Sequence, residues 1–280
     1  MSEKFIDLHT ENHDRDIFPS KYIYPVVSRR AGGLSLGINL NTNNACNWQC
    51  IYCEVPNLTR GKPEAINSEQ LQQELHHWLN EITNGSFLNK LKSETEFKDI
   101  AFSGNGEPSA CPALFDILKI VVNELEFFKL EDKIKIRIIS NGSHLVDQKD
   151  ALQLLQSKNG EIWFKVDAAQ ETDIKIINQI NPSLNSIKNN LAYAIQHCKT
   201  IIQSCFIEMN QQKPDKNFLD AYAEFLKPFE SQLAAIHIYS LARASRQDTG
   251  IQMTRLSQHD LIGIQEYLTD KLDLPIEIFV

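Results

Sequence analysis

The residues best suited to chemistry are three closely spaced cysteines in the stretch Cys46-Asn47-Trp48-Gln49-Cys50-Ile51-Tyr52-Cys53. Intervals of three and then two residues differ from both ferredoxin patterns, and no fourth cysteine is close by. Three thiolates on a cubane of four irons leave one iron without a protein ligand, open to a small molecule. A zinc knuckle is the competing reading, but zinc takes four tetrahedral ligands, usually from two closely spaced pairs. Cys111, Cys198 and Cys205 supply no second pair. The cluster reading is the stronger. Tyr52 adds an aromatic ring immediately before the last cysteine.

Further along the chain, Ser103-Gly104-Asn105-Gly106-Glu107-Pro108 combines glycines with an acid. Glycines free of side chains let backbone groups approach a ligand closely, and alone they equally fit a tight turn. Ser140-Asn141-Gly142 offers a hydroxyl and an amide, or simply an Asn-Gly turn. Lys165 and Asp167 alternate with Trp163, so the three share one face of an otherwise apolar strand. A lysine and an aspartate there are costly unless they pair with each other or bind a ligand. Gln203 and Cys205 share a face in the same way. Tyr239 and Arg243 close the series, and an arginine can grip a carboxylate or phosphate with two donors.

Taken together, the cysteine spacing with Tyr52 and the Gly104-Asn105-Gly106-Glu107-Pro108 segment resemble the radical S-adenosylmethionine (SAM) superfamily. The likeness runs roughly from Ser28 to Arg243 and is strongest to the group that includes wyosine-type tRNA-modifying enzymes and their bacterial relatives. It implies a [4Fe–4S] cluster on Cys46, Cys50 and Cys53, with SAM chelated at the open iron. One electron from the cluster would then release a 5′-deoxyadenosyl radical that abstracts hydrogen from a substrate. It further implies that Gly104, Asn105, Gly106 and Glu107 hold the SAM amino group. Tyr52, Ser140, Asn141, Lys165, Asp167 and Gln203 would complete the cofactor site. Tyr239 and Arg243, in a segment similar to a Y-x-x-A-R element of the bacterial relatives, would act on the substrate. Some radical methylases use a non-cluster cysteine, yet a buried, inert thiol is the commoner case for Cys205, Cys198 and Cys111.

Strand-like runs lie at Ser35–Leu40, Asp99–Ser103, Ile134–Ser140, Glu161–Ala168, Thr200–Ile207 and Ala234–Leu241, with a short terminal strand expected at Pro275–Phe279. Between them come amphipathic helical faces: Leu71, Leu75, Trp78, Leu79 and Ile82 after a capping pair Asn67 and Gln70, then Leu184 to Ile195 after Pro182-Ser183. Phe218 to Leu226 forms another, and Leu261, Ile264 and Leu268 follow Ser257 and Asp260. Six strand–helix units predict an α/β fold with a parallel sheet and outer helices, and such sheets bind ligands at their carboxyl ends. The family resemblance sharpens this to a partial (β/α)6 TIM-like barrel spanning residues 35–280, with residues 1–34 an N-terminal extension packed on it.

With 280 residues, 42% hydrophobic and 23% charged, the chain suits a folded α/β protein. No membrane span or secretory signal is visible, and few cysteines outside the cluster motif point to a reducing, cytoplasmic setting. The net charge of −8 gives no general attraction to nucleic acid, although Arg29, Arg30, Arg60 and Arg243 are candidates for a local basic rim. No second cysteine set accompanies the first. The expected chain is a minimal radical generator, reduced by a separate flavodoxin- or ferredoxin-type donor. Three activities compete: modification of RNA or a nucleotide, modification or activation of a protein or small molecule, and a non-catalytic Fe–S sensor. The Gly104–Glu107 segment argues against the sensor, which needs no SAM amino-group site. His76, His77 and His237 show no ligand spacing and read as surface or packing residues.

Overall fold

Seven parallel runs of alternating apolar residues set the architecture, and a computed structural model describes how they assemble. It describes residues 6, 8, 9, 19–92, 94–181 and 183–280; most of the segment before Pro19, and Pro182, lie outside the described residues. The strands are β1 (Ile23–Ser28), β2 (Gly33–Ile38), β3 (Ala45–Cys46), β4 (Thr59–Arg60), β5 (Phe97–Phe102) and β6 (Lys135–Ser140). After them come β7 (Glu161–Lys165), β8 (Thr200–Cys205), β9 (Ile207–Met209), β10 (Ala235–Tyr239), β11 (Met253–Arg255) and β12 (Ile276–Phe279). Eight of these form one sheet in the order β1-β2-β5-β6-β7-β8-β10-β12. Every neighbouring pair from β2 to β12 is parallel, and only β1 is antiparallel.

The parallel strands are joined by α1 (Ser68–Thr83), α2 (Leu114–Phe127), α3 (Lys149–Ser157), α4 (Glu171–Ile177), α5 (Leu184–His197), α6 (Lys216–Leu226) and α7 (Gln258–Thr269). The expected α/β half-barrel of six strand–helix units is present, completed by β12. Alternation splits each strand between two environments. Ile136, Ile138, Ile162, Phe164, Ile202, Ile236 and Ile238 face the helices and share their core. Trp163, Ile201 and Ala235 face the other way and form a separate small cluster in the concave lumen. Arg137 joins the lumen layer, paired with Asp99 and with Glu161 at 3.2 Å.

The ends of the helices follow their capping chemistry. Asn67 accepts from the Gln70 amide at the start of α1, while the Gln70 side chain turns to Glu74. Ser257 and Asp260 form a complete reciprocal capping box on α7.

The sequence within residues 1–34 does more than flank the sheet. Ile23–Ser28 is its edge strand β1, paired antiparallel with β2 from Ile23↔Ile38 to Ser28↔Gly33. Pro25 lacks an amide hydrogen and suits an edge position. Tyr24 lies across Gly37, where an added Cβ would meet its ring at 2.1 Å. Of the residues nearer the N-terminus, Leu8 is buried in the main core and Ile6 bridges to Leu91.

Candidate functional site at the carboxyl ends of the strands

The cysteine loop leaves β2 and is clasped at its base by β3 pairing with β4. Backbone contacts then pin it to the end of α4: Ile51 N–H donates to Ile177 O at 2.8 Å and Gln49 N–H to Asn178 O at 3.3 Å. From the other side, Arg246 N–H donates to Cys53 O at 3.0 Å and the Ser245 hydroxyl to Ile51 O at 2.6 Å. All three thiols are half-buried. Donors are aimed at two of them, Trp48 N–H at Cys46 Sγ (3.4 Å) and Asn178 Nδ2 at Cys50 Sγ (3.3 Å). Such bonds to sulfur are of the kind that tune a metal–thiolate centre.

Burial nevertheless pushes the Cys46 thiol up to about 12 and Cys50 up to about 11, so protein contacts alone do not favour thiolates. A cationic centre held by these sulfurs would supply what is lacking. Among the described residues, no three His, Cys, Asp or Glu side chains converge on one point as single-ion ligands do.

The Gly104–Glu107 segment sits against the start of the same loop. Gly104 has φ +144°, and a Cβ there would meet Asn39 Oδ1 at 2.5 Å. A Cβ on Gly106 would strike Ala45 O at 2.2 Å. Their lack of side chains therefore lets two loops of the chain itself pack together. Asn39 Oδ1 accepts from the Asn105 amide at 3.1 Å and from the Asn41 amide at 3.0 Å, while Asn105 Nδ2 donates to Asn44 Oδ1 at 2.6 Å.

Glu107, expected to meet a SAM amino group, is buried and bonded within the chain. Its Oε1 accepts from Ser109 N–H (3.0 Å), Ser109 Oγ (2.6 Å) and Ser140 Oγ (2.6 Å), and its Oε2 from Asn141 N–H (2.6 Å). The carboxylate ties the end of β5 to the end of β6. Asn141 continues the chain, donating from Nδ2 to Asn47 Oδ1 at 2.9 Å in the cysteine loop. Trp48 Nε1 reaches Ser143 Oγ beside it at 3.1 Å.

Lys165 and Asp167 face the lumen and pair with each other, Nζ to Oδ2 at 3.1 Å. Tyr52 joins them: Lys165 donates to its hydroxyl, which donates to Asp167 Oδ2 at 2.6 Å. Asn178 Nδ2 donates to the same Oδ2 at 2.7 Å, and Cys205 N–H to Oδ1 at 3.0 Å. Burial is the largest influence on Lys165 and would lower its pKa, but Asp167 together with the neighbouring Tyr239, Cys50 and Cys205 outweighs it and holds the ammonium well above its usual range. Burial first, then Asp167, pushes the Tyr52 hydroxyl up. Asn178 thus bonds both Asp167 and Cys50, linking the ion pair to a candidate cluster ligand.

The remaining candidates are placed around this core. Gln203 is buried in the lumen, accepting from Arg30 and donating to Trp163 O at 3.2 Å. Tyr239 carries the Arg30 guanidinium 4.4 Å from its ring centre, and burial pushes its hydroxyl up to about 12. Arg243 is engaged within the chain, donating from Nε to Glu54 Oε2 at 2.7 Å. Arg60 is bound elsewhere, to Gln49 Oε1 at 2.9 Å, Asn47 O at 3.3 Å and Gln179 O. A cavity of about 390 Å³ opens beside Asp167 and Cys205, with Gln170, Phe206 and Ile251 in its walls. Cys111 and Cys198 are buried away from the loop, and burial pushes both thiols up.

Sequence reading missed Asn39, Asn41, Asn47, Asn178 and Glu54. The asparagine-rich run Asn39-Leu40-Asn41-Thr42-Asn43-Asn44 was the available signal for the first two, because amide side chains can bridge facing loops.

No protein-family model matches the chain. It is 26% identical over 248 residues to a UPF0026 protein of Helicobacter pylori strain 26695, covering 85% of this chain and 70% of that protein. Among solved structures it superposes on TYW1 with a lysine-pyruvate adduct bound, at TM-score 0.57 and 18% identity, over 86% of this chain and 74% of that one. It superposes on a radical SAM methyltransferase from Sphaerobacter thermophilus at TM-score 0.60 and 12% identity, over 88% of this chain and 66% of that one. The fold is the radical SAM fold. At these identities the likeness concerns the sheet and its helices. Among the described residues no helix is long and apolar enough to cross a membrane.

Proposed function

We propose that the chain is a radical SAM enzyme, with a [4Fe–4S] cluster on Cys46, Cys50 and Cys53 and SAM bound between that loop and the ends of β5 to β7. The observation that carries this reading is the stitching of the cysteine loop to those strand ends through Asn105–Asn44, Asn141–Asn47 and Asn178–Cys50. Three thiols are thereby held over the face where parallel α/β sheets bind ligands. When bound, the cluster supplies one electron to SAM, whose cleavage yields methionine and a 5′-deoxyadenosyl radical for hydrogen abstraction.

The chain's own residues prepare that face. Glu107 fixes the β5 and β6 ends against each other, leaving backbone groups of Gly104 to Gly106 as the ligand-facing part of that segment. Lys165 and Asp167 neutralise one another, and their shared contacts orient Tyr52 and Asn178 against the loop. Ile51, Cys205 and Ile207 form a small apolar cluster beside the cavity and the cysteine loop. Tyr239 and Arg243 flank the mouth as substrate contacts. A separate flavodoxin- or ferredoxin-type protein delivers the electron, and RNA or a nucleotide is the substrate class favoured by the resemblance of the Gly104–Pro108 segment to that of wyosine-type tRNA-modifying enzymes.

Anaerobic reconstitution with iron and sulfide tests the reading. About four irons per chain should bind, and changing Cys46, Cys50 and Cys53 together to Ala should remove them. Full iron content in that variant refutes the assignment.

A further inference from the structure

Helix α4 ends against the cysteine loop, and its last residues are committed to that loop. Ile177 O accepts from Ile51 N–H at 2.8 Å and Asn178 O from Gln49 N–H at 3.3 Å. Asn178 N–H closes the final helical turn on Ile174 O at 2.8 Å. Gln179 then turns the chain away with φ +55°, and its carbonyl accepts from Arg60. The backbone of Asn178 is thus fixed on both sides, and the residue is 1% exposed.

Its side chain has as little freedom. The Asp167 carboxylate, paired with Lys165, can only accept, so the 2.7 Å contact to its Oδ2 comes from the Asn178 NH2 group. This settles which way the amide faces. The same nitrogen reaches Cys50 Sγ at 3.3 Å, and its two hydrogens serve both partners. Lys165 at 3.1 Å, the Tyr52 hydroxyl at 2.6 Å and Cys205 N–H at 3.0 Å hold Asp167 in turn. Trp48 N–H, 3.4 Å from Cys46 Sγ, is a donor of another kind, because it belongs to the loop itself. Asn178 comes from 128 residues away in the chain. Its side chain is not what anchors the loop backbone, which rests on Ile177 O, Asn178 O, Ser245 and Gln247.

One-electron reduction makes a cluster and its sulfurs more negative. An N–H aimed at a ligand sulfur favours the more negative state and raises the potential, most strongly where water is scarce. Because Lys165 and Asp167 neutralise each other, the pair orients the amide without adding net charge beside the sulfur. We infer that Asn178 is a positioning residue for electron entry: its amide, oriented by Asp167, donates to the Cys50 sulfur and makes the bound cluster easier to reduce. The inference rests on the radical SAM reading for the presence of the cluster.

Redox potentiometry of the anaerobically reconstituted full chain, followed by electron paramagnetic resonance without SAM, tests it. Asn178→Leu removes the donor at similar volume. Reduction should become at least about threefold less favourable, a fall in midpoint of about 28 mV or more. Asn178→Ser, whose single hydrogen serves one partner at a time, should show a smaller fall. Ser245→Ala removes a hydroxyl that anchors the loop through Ile51 O and Cys53 O, so its midpoint should match that of the wild type. A purely structural role for Asn178 predicts a lower melting temperature in Asn178→Leu with an unchanged midpoint. If Asn178→Leu takes up no iron, Asn178→Ser decides, and absence of iron from both makes Asn178 a loop anchor and overturns the inference. An unchanged or raised midpoint in iron-replete Asn178→Leu, or an equal fall in Ser245→Ala, overturns it too. A wild-type chain that binds no iron refutes the cluster reading itself. A wild-type cluster that is reduced normally, beside an unshifted Asn178→Leu, overturns this inference alone.

Discussion

Replacing Asp167 with Asn is the most informative single change in the chain. Its carboxylate is fully buried and accepts four contacts: Lys165 at 3.1 Å, Tyr52 at 2.6 Å, Asn178 at 2.7 Å and the Cys205 amide at 3.0 Å. An amide keeps the shape but removes the charge, and its NH2 group must face donors at one position. Removing one partner of a buried pair typically costs about 3–5 kcal/mol, because the other charge is left uncompensated. Lys165 is 15% exposed at its side chain, which leaves water little room to rescue it. The expected loss is therefore about 3 kcal/mol or more, read from urea unfolding of the cluster-free chain.

The pH sign follows from the same pair. Asp167 raises the Lys165 pKa, so the stabilisation is fully present below the ordinary lysine value and fades only as pH rises through the elevated one. The difference between wild type and Asp167→Asn should thus stay constant from neutral pH to about 9. Lys165→Met together with Asp167→Asn should recover part of the loss, since two apolar or neutral groups replace an orphaned charge. A loss under about 1 kcal/mol for the single variant, or no recovery in the double, refutes the claim that this pair holds the site together.

Glu107→Gln should cost about 1–3 kcal/mol, because four donors converge on the carboxylate and an amide cannot accept from all of them; thermal unfolding reads the loss. Glu54→Gln should cost less than about 1 kcal/mol in the same assay, since its pair with Arg243 is partly exposed. His237 is buried between Trp163 and Phe279, and burial drives its pKa down to about 4. The unfolded chain takes up that proton first, so stability should fall by about 3 kcal/mol between pH 6.5 and 4 on this account. His237→Phe should flatten that part of the curve, and an unchanged slope rules out His237 as its source.

Much of the sheet was legible because buried parallel strands are written as short apolar runs. Ile134–Ser140 and Thr200–Ile207 are found within two residues as β6 and as β8 with β9. The Ser257 and Asp260 box was equally plain, being local in sequence. Strand β1 was hidden because Pro25 interrupts it and its pairing with β2 depends on Tyr24 covering Gly37, a tertiary contact. Lys165 and Asp167 announced themselves as charges on an apolar strand, and the pairing alternative for them is what the geometry displays. Glu107 carried no local sign that it would turn inward, because its donors come from Ser140 and Asn141 in the next strand. Arg243 likewise finds Glu54 from 189 residues away, a pairing that no spacing rule reveals. Asn178, which joins Asp167 to Cys50, lies after a short helix whose end meets the docked cysteine loop, a contact between segments far apart in sequence.

The most direct test of the central claim is chromatography of SAM incubated with the cluster-replete chain and dithionite under anaerobic conditions. The account predicts slow release of 5′-deoxyadenosine and methionine in equal amounts, abolished when Cys46, Cys50 and Cys53 are changed to Ala. Absence of 5′-deoxyadenosine from protein with full iron content, while a known radical SAM enzyme produces it in parallel, contradicts the account.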